Sequence, residues 1–374
     1  MSEYLTYDAA LLKSKNGYWT AKEICQQPKI WRQAAQNIEQ RSNEINDWLT
    51  PLMAIQNLRI ILTGAGTSAY VGDAIVAHLN KEVGRVFEAI STTNIVSNPT
   101  QYLLKESPTL LISYGRSGNS PESSAAIKLA DQVVDNCYHL VITCNPDGEL
   151  AEYAQDRAHA FSLLMPEGTL DQSFAMTSSF TSMLISTLCI FTPSSTQVET
   201  AAQWSENLLE SGVVYLKEIA KRPTQRLVFL GAGGLQGIAR EAALKVLELT
   251  AGKVLSYFES PLGFRHGPKS LMDGTTEVIL FSSSDNYTKQ YDKDLLDELT
   301  RDNQNLAITV LGKNTFDHTT DLDDVWASLP YILYCQILAF YKSIDLDITP
   351  DNPCPTGEVN RVVQGVTLYD LKVN

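Results

Sequence analysis

Short apolar runs, each closed by a polar or glycine-rich turn, recur along residues 58–164 of the 374-residue chain. They fall at 58–63, 86–88, 109–113, 139–144 and 158–164, with helical spacing at about 69–80 and 123–130. A Ser/Thr-rich apolar stretch at 169–191 predicts one more helix. Strands of this kind alternating with helices predict a parallel α/β sheet covered on both faces. Ahead of it, Trp31, Ala34, Ala35, Ile38, Ile45 and Trp48 recur near the helical period, predicting an amphipathic helical segment over residues 1–50 that Pro51 ends.

The pattern then returns. Residues 226–233 repeat residues 59–66, an apolar strand running into Gly-Ala-Gly, at an offset of 167. At the same offset residues 277–285 repeat the third strand and its Ser-rich turn, with Ser284 in the place of Ser117, and 306–311 repeat 139–144. Three matches at one spacing predict two tandem copies of one α/β domain. The helical pattern breaks at 193–202, and a helix over 202–221 opens the second copy. The expected organisation is an arm at 1–50, a first domain at 51–200, a second at 201–348, and an irregular tail at 349–374. That tail holds three prolines in residues 349–357 and ends, at 365–370, in a last strand or in a segment lying over a site.

Composition narrows the class. A hydrophobic content of 44% and a charged content of 19% describe a globular chain with ample core. The net charge of −14 argues against a nucleic-acid or anionic-membrane surface. Six cysteines without a CxxC pair fit reduced thiols, and the N-terminus lacks the basic and apolar regions of a signal peptide, so a cytoplasmic protein is expected. Residues 173–192 are too rich in Ser and Thr for a membrane span. The five histidines lack HxH or HxxxH spacing, which disfavours a histidine metal site.

Chemistry concentrates in four places. Residues 110–122 run from an apolar strand into Gly115-Arg116-Ser117-Gly118-Asn119-Ser120 and then Pro121-Glu122 at a helix start. Unpaired N–H groups there suit a phosphate, although an ordinary β–α turn also favours Ser and Gly. In so acidic a chain, an anion must be held by local N–H groups and hydroxyls. Gly64-Ala65-Gly66-Thr67-Ser68 opens another helix and loosely fits a dinucleotide fingerprint, with Glu88 where a ribose-binding acid would stand. Glu241, Lys245 and Glu248 share one helix face, either as a solvated ion-pair stripe or as a carboxylate base beside a lysine. His266 lies in a loop held by two prolines and two glycines and flanked by Arg265 and Lys269, a setting that suits proton shuttling. The serines lack a G-x-S-x-G elbow, so they read as hydrogen-bond donors and not nucleophiles.

At Gly66-Thr67-Ser68, Ser117-Gly-Asn-Ser120, Glu241-Ala-Ala-Leu-Lys-Val-Leu-Glu248 and His266-Gly-Pro268 the sequence resembles the sugar isomerase (SIS) phosphosugar-binding family, over about residues 45–368. Within it the chain looks closest to the AgaS-type branch of galactosamine-6-phosphate deaminase/isomerases, earlier described as tagatose-6-phosphate ketose/aldose isomerases. The resemblance implies two three-layer α/β/α domains with mainly parallel sheets. It implies a phosphorylated sugar held by Gly66, Thr67, Ser68, Gly115, Arg116, Ser117 and Ser120. Glu248 would move a proton between C1 and C2, His266 would open the sugar ring across a homodimer, and Lys245 and Glu241 would support them. No cofactor or metal is implied. The tandem arrangement also resembles the isomerase half of glucosamine-6-phosphate synthase. This chain, however, has no glutaminase domain, and it places Gln364 where that enzyme's tail carries an imine-forming lysine. The activity expected is deamination with isomerisation of galactosamine 6-phosphate. The alternatives are plain ketose/aldose isomerisation and a sugar-phosphate-binding regulator.

Overall fold

The structure, a computed structural model, describes residues 3–372. Two five- and four-stranded sheets, all parallel, carry the fold. The first contains β1 (Arg59–Thr63), β2 (Phe87–Ala89), β3 (Thr109–Gly115), β4 (Cys137–Thr143) and β5 (Ala160–Leu164), in the order β2-β1-β3-β4-β5. The second contains β6 (Arg226–Gly231), β7 (Leu255–Glu259), β8 (Thr276–Phe281) and β9 (Ala307–Leu311), in the order β9-β8-β6-β7. This is the first sheet's order with its fifth strand missing, so the 167-residue repeat is a repeat of topology. It reaches single torsions: Gly66 has φ 55° and ψ −129°, and Gly233 has φ 58° and ψ −129°. Only glycine adopts that backbone without strain.

Six helices matter below: α1 (Thr67–Val83), α2 (Pro121–Val133), α3 (Ser178–Phe191), α4 (Gly234–Leu249), α5 (Thr288–Asp302) and α6 (Asp324–Asp345). The chain divides into two compact units. One holds the first sheet and joins residues 33–171, 178–194 and 356–374; the other holds the second sheet and joins residues 1–32, 172–177 and 195–355. In the first unit, Ile61, Leu111, Val141, Ala126 and Ile127 form the core between β1, β3, β4 and α2. In the second, Val228, Leu230, Val278, Leu280, Leu295 and Leu299 fill the space between β6, β8 and α5. There α6 is buried along almost its whole length and packs on α4, which in turn lies on β6 and β7.

Four expectations are corrected. The segment at 1–50 begins with a hairpin of two-residue strands, Glu3–Tyr4 and Tyr7–Asp8, before its helices. Pro51 does not end the last of them, which runs Ser42–Met53; proline removes only its own N–H bond there, and the next residue, Leu52, is held in the core. The helix expected over 169–191 starts only at Ser178. The Asp171 carboxylate accepts from both hydroxyls and from the Ser179 N–H (2.9 Å), so side-chain bonding fixes the helix start. The helix expected over 202–221 is two, Ser195–Asn207 and Val213–Ala220, joined by a π-turn at Leu208–Gly212.

Candidate active site

In the first unit, β1 and β3 are neighbours while β2 lies on the far side of β1. The order therefore reverses at this pair, and a crevice opens at the carboxyl ends of the two strands. The turns after them are the two singled out in the sequence. Gly66 precedes α1, and Thr67 and Ser68 are buried in its first turn. After β3 the chain turns through Gly118 (φ 66°) to Ser120, the N-cap of α2.

The loop after β4 builds that second turn from outside. Asn145 Nδ2 donates to the Ser117 carbonyl (2.8 Å), and the Asn119 side-chain oxygen accepts from the Glu149 N–H (2.9 Å). Thr143 Oγ1 donates to the Gly115 carbonyl (2.8 Å). Ser117 Oγ accepts from the Asn119 N–H (3.2 Å), and the Ser120 and Ser123 hydroxyls share a hydrogen bond (2.6 Å). A cavity of about 580 Å³ opens beside it, lined by Ser117, Asn119, Pro121, Asn145 and Leu170 and by residues 361–365 of the tail. This is the size of a small-ligand pocket, walled by neutral polar and apolar groups and by one cationic residue, Arg361. The tail residues after 360 form neither helix nor strand, so the last strand envisaged at 365–370 is absent among the described residues. Arg116, only 6% exposed, donates to the Arg361 carbonyl (2.6 Å), and the Arg361 guanidinium donates to the Asp171 carbonyl.

In the second unit, α4 carries the carboxylates. Glu241 and Lys245 are completely buried, whereas Glu248 keeps a quarter of its side chain exposed. Lys245 Nζ lies 2.5 Å from Glu248 Oε2 and 3.4 Å from Glu241 Oε1. The fully solvated stripe allowed by the spacing is thus excluded: Glu241 and Lys245 are buried, and one lysine contacts a buried and a partly exposed carboxylate. The short contact with Lys245 holds the Glu248 carboxylate in place at the edge of this buried group. His266 is exposed, just after the short helix Pro261–Phe264. Its flanking cations anchor the loop to α5. Arg265 bonds Glu298 (2.8 Å) and Asp294 (2.9 Å), and Lys269 bonds Asp302 (2.6 Å) and Glu298. The imidazole therefore stands on a fixed support.

Two competing chemistries lose ground. Glu88, the candidate ribose-binding acid, is paired in both oxygens with Arg59 (2.5 and 2.8 Å). Asp131, Cys137 and His139 lie within 4.8 Å of one another, but Asp131 already accepts from His139 (2.8 Å) and Tyr153 (2.6 Å). His139 Nδ1 is buried with no partner among the described residues, where a metal-bound imidazole would need an acceptor. Hydrogen bonding is the chemistry of this group.

Residues 53–193 and 220–330 each match the SIS domain. The chain belongs to the SIS domain family. A relative from Shewanella sp. (strain ANA-3), named D-galactosamine-6-phosphate deaminase AgaS, is 55% identical over 370 residues, covering 98% of this chain and 95% of its own. The protein of that name from Escherichia coli is 46% identical over 371 residues, covering 94% of this chain and 96% of its own. A crystal structure of tagatose-6-phosphate ketose/aldose isomerase from Escherichia coli superposes with a TM-score of 0.90 at 43% identity, over 98% of this chain and 99% of that one. Both SIS copies and their order along the chain are therefore shared with proteins that act on phosphorylated sugars. The turn at 115–120 and a tail lying over a site are both readings of the sequence, whereas Asn145 and Leu170, which also line the cavity, are not. Asn145-Pro-Asp-Gly148 showed only as a strand end, and nothing in the tail's spacing points back to residue 117.

Proposed function

We propose that this SIS protein converts galactosamine 6-phosphate to tagatose 6-phosphate and ammonia. The observation that carries this reading is the 55% identity, over nearly the full length of both chains, to the Shewanella deaminase. In the proposed mechanism Ser117 and Ser120, with Gly66, Thr67, Ser68 and Gly115, hold the sugar phosphate, and Arg116 supports the site from behind the turn. His266 opens the pyranose ring. Glu248 takes the C2 proton, giving an enolamine, and returns a proton to C1. Water then adds to the C2 imine, and its collapse to the ketone releases ammonia. Lys245 holds Glu248 in place, and Glu241 balances the lysine. Positioning the base against the carbon acid contributes as much as the base itself.

The exposure of His266 supports a homodimer in which the histidine serves the neighbouring subunit's site. Among the described residues no helix is long and apolar enough to cross a membrane, and the charge of −14 disfavours nucleic acid; both suit a cytoplasmic enzyme. The second reading is ketose/aldose isomerisation without loss of nitrogen, favoured by the name of the Escherichia coli structure. Supplied with galactosamine 6-phosphate, the purified protein is expected to release one ammonia per ketose formed. Interconversion of tagatose 6-phosphate with its aldose, without ammonia, would decide for the second reading. Glu248→Gln is expected to bind sugar phosphate but to lose solvent exchange at C2. Retained exchange would remove Glu248 as the base.

A further inference from the structure

The cavity beside Ser117 presents a problem of charge. Its walls from the strand–helix turns are hydroxyls, amides and apolar groups, and the chain as a whole carries −14. The one cation of the turn, Arg116, is buried and directed at a backbone carbonyl of the tail. The cation that lines the cavity comes from the tail itself, Arg361.

We propose that Arg361 is the side chain that recognises the dianionic end of the substrate, and that Arg116 is its positioning residue. This rests on the reading of the substrate as a sugar phosphate. Arg361 is fixed at both ends of the residue. Its carbonyl accepts from Arg116 (2.6 Å) and its guanidinium donates to the carbonyl of Asp171. Asp171 is itself immobile, because its carboxylate caps α3 through Ser178 and Ser179. A guanidinium held by its own chain in this way loses little further freedom when an anion arrives. A planar guanidinium on a residue that lines the cavity together with Ser117, Asn119 and Asn145 matches a phosphate monoester, whose charge the hydroxyls of Ser117 and Ser120 cannot neutralise. Tail docking and phosphate recognition thus become one event: the side chain that reads the anion also brings residues 362–365 to the cavity wall.

The probes are inorganic phosphate, measured by calorimetry, and the sugar phosphate, measured by steady-state kinetics. Arg361→Met is expected to raise the phosphate Kd and the KM by about 10- to 100-fold, the effect of one hydrogen bond to a charged group, a larger change than any in kcat. Arg361→Lys is expected to recover part of the affinity. Arg116→Met is expected to raise KM in the same sense, and Arg116→Lys, which restores one donor to the carbonyl, to reverse it. An Arg361→Met protein that binds phosphate as wild type while melting earlier would overturn the proposal, leaving Arg361 as a tail anchor only. Wild-type affinity in Arg116→Met would remove Arg116 as its positioning residue. Should Arg361→Met not fold, Arg361→Gln, which keeps a donor for Asp171, carries the same comparison. If the wild-type enzyme turns over no amino-sugar phosphate yet phosphate binding still falls in Arg361→Met, the functional reading fails and this inference stands.

Discussion

The two copies contain the same turn after the same strand, but the two turns are bonded by different groups. After β3, the turn at 115–120 is shaped by neutral groups, Asn145, Asn119 and Thr143, and borders a cavity of about 580 Å³. After β8, the turn at 282–286 is filled from within. Asp324, the first residue of α6, accepts from Ser283 Oγ (2.5 Å), the Ser284 N–H (2.6 Å) and Ser284 Oγ (2.8 Å), and Asp292 accepts from the Ser283 N–H (2.8 Å). An internal carboxylate stands where the sister turn would offer its donors to an anion. A strand–turn–helix unit presents N–H groups by construction; whether it becomes a site depends on which acidic side chain the following element brings to it. The second copy closed its turn while keeping, on α4, the carboxylates that the first copy lacks.

The largest effect should separate the turns by function. Ser117→Ala with Ser120→Ala removes two donors that we assign to a charged phosphate, at about 1.5–3 kcal/mol each, so sugar-phosphate affinity should fall about 100-fold or more. Ser283→Ala with Ser284→Ala should leave KM within about twofold of wild type and lower the melting temperature instead. Equal losses of affinity in both pairs would end the division of labour. Next, Asp324→Ala strips three bonds to one carboxylate and should cost about 2–4 kcal/mol of stability, read as a lower denaturation midpoint. A midpoint within error of wild type would mean that the closed turn needs no internal anion.

A smaller effect tests what the copies still share. Gly66 and Gly233 have the same torsions, and a Cβ on either meets no atom within 4 Å, so alanine there measures backbone strain alone. Each substitution should cost about 1–3 kcal/mol, with matching midpoints. Only Gly66→Ala should also raise KM, because only its turn is assigned to the sugar. A KM rise in Gly233→Ala of the same size would assign the second copy's turn to the substrate as well.

Much of this comparison was legible in the sequence. Most strand positions and their repeat followed from short apolar runs, because strands buried on both faces cannot vary their pattern; β7, whose residues are exposed or half-buried, gave no such run and was not read. The equivalence of Ser117 and Ser284 followed from the same offset. What was not legible is what fills each turn. Asp324 lies 40 residues beyond Ser284 and Arg361 lies 245 beyond Arg116, and no periodicity links such pairs. The burial of Glu241 and Lys245 was hidden for the same reason: i, i+4 spacing fixes a face of α4, but what packs against the helix decides whether that face is wet. The flanking charges of His266 looked like chemistry and proved to be anchors, because their partners on α5 lie about 30 residues away in sequence.

The finest difference between the turns is electrostatic. Asp292 is nearly inaccessible, and burial, followed by the charge of Asp324, raises its carboxyl above the ordinary value of 3.8. The Ser283 N–H pulls the other way and does not prevail. Between 3.8 and the raised folded value, the native state holds a proton that the unfolded chain has released. Stability therefore falls as pH rises through that window, and below 3.8 this cost is absent. The first copy's turn is bonded instead by the neutral side chains of Thr143, Asn145 and Asn119. Asp292→Asn keeps an acceptor for Ser283 and removes the ionisation. Its denaturation midpoint should exceed that of wild type above the window and converge with it at lower pH. A wild-type midpoint that rises with pH across the window by the same amount as in Asp292→Asn would show that Asp292 stays ionised in the folded protein, and that the closed turn tolerates two adjacent carboxylates without a proton.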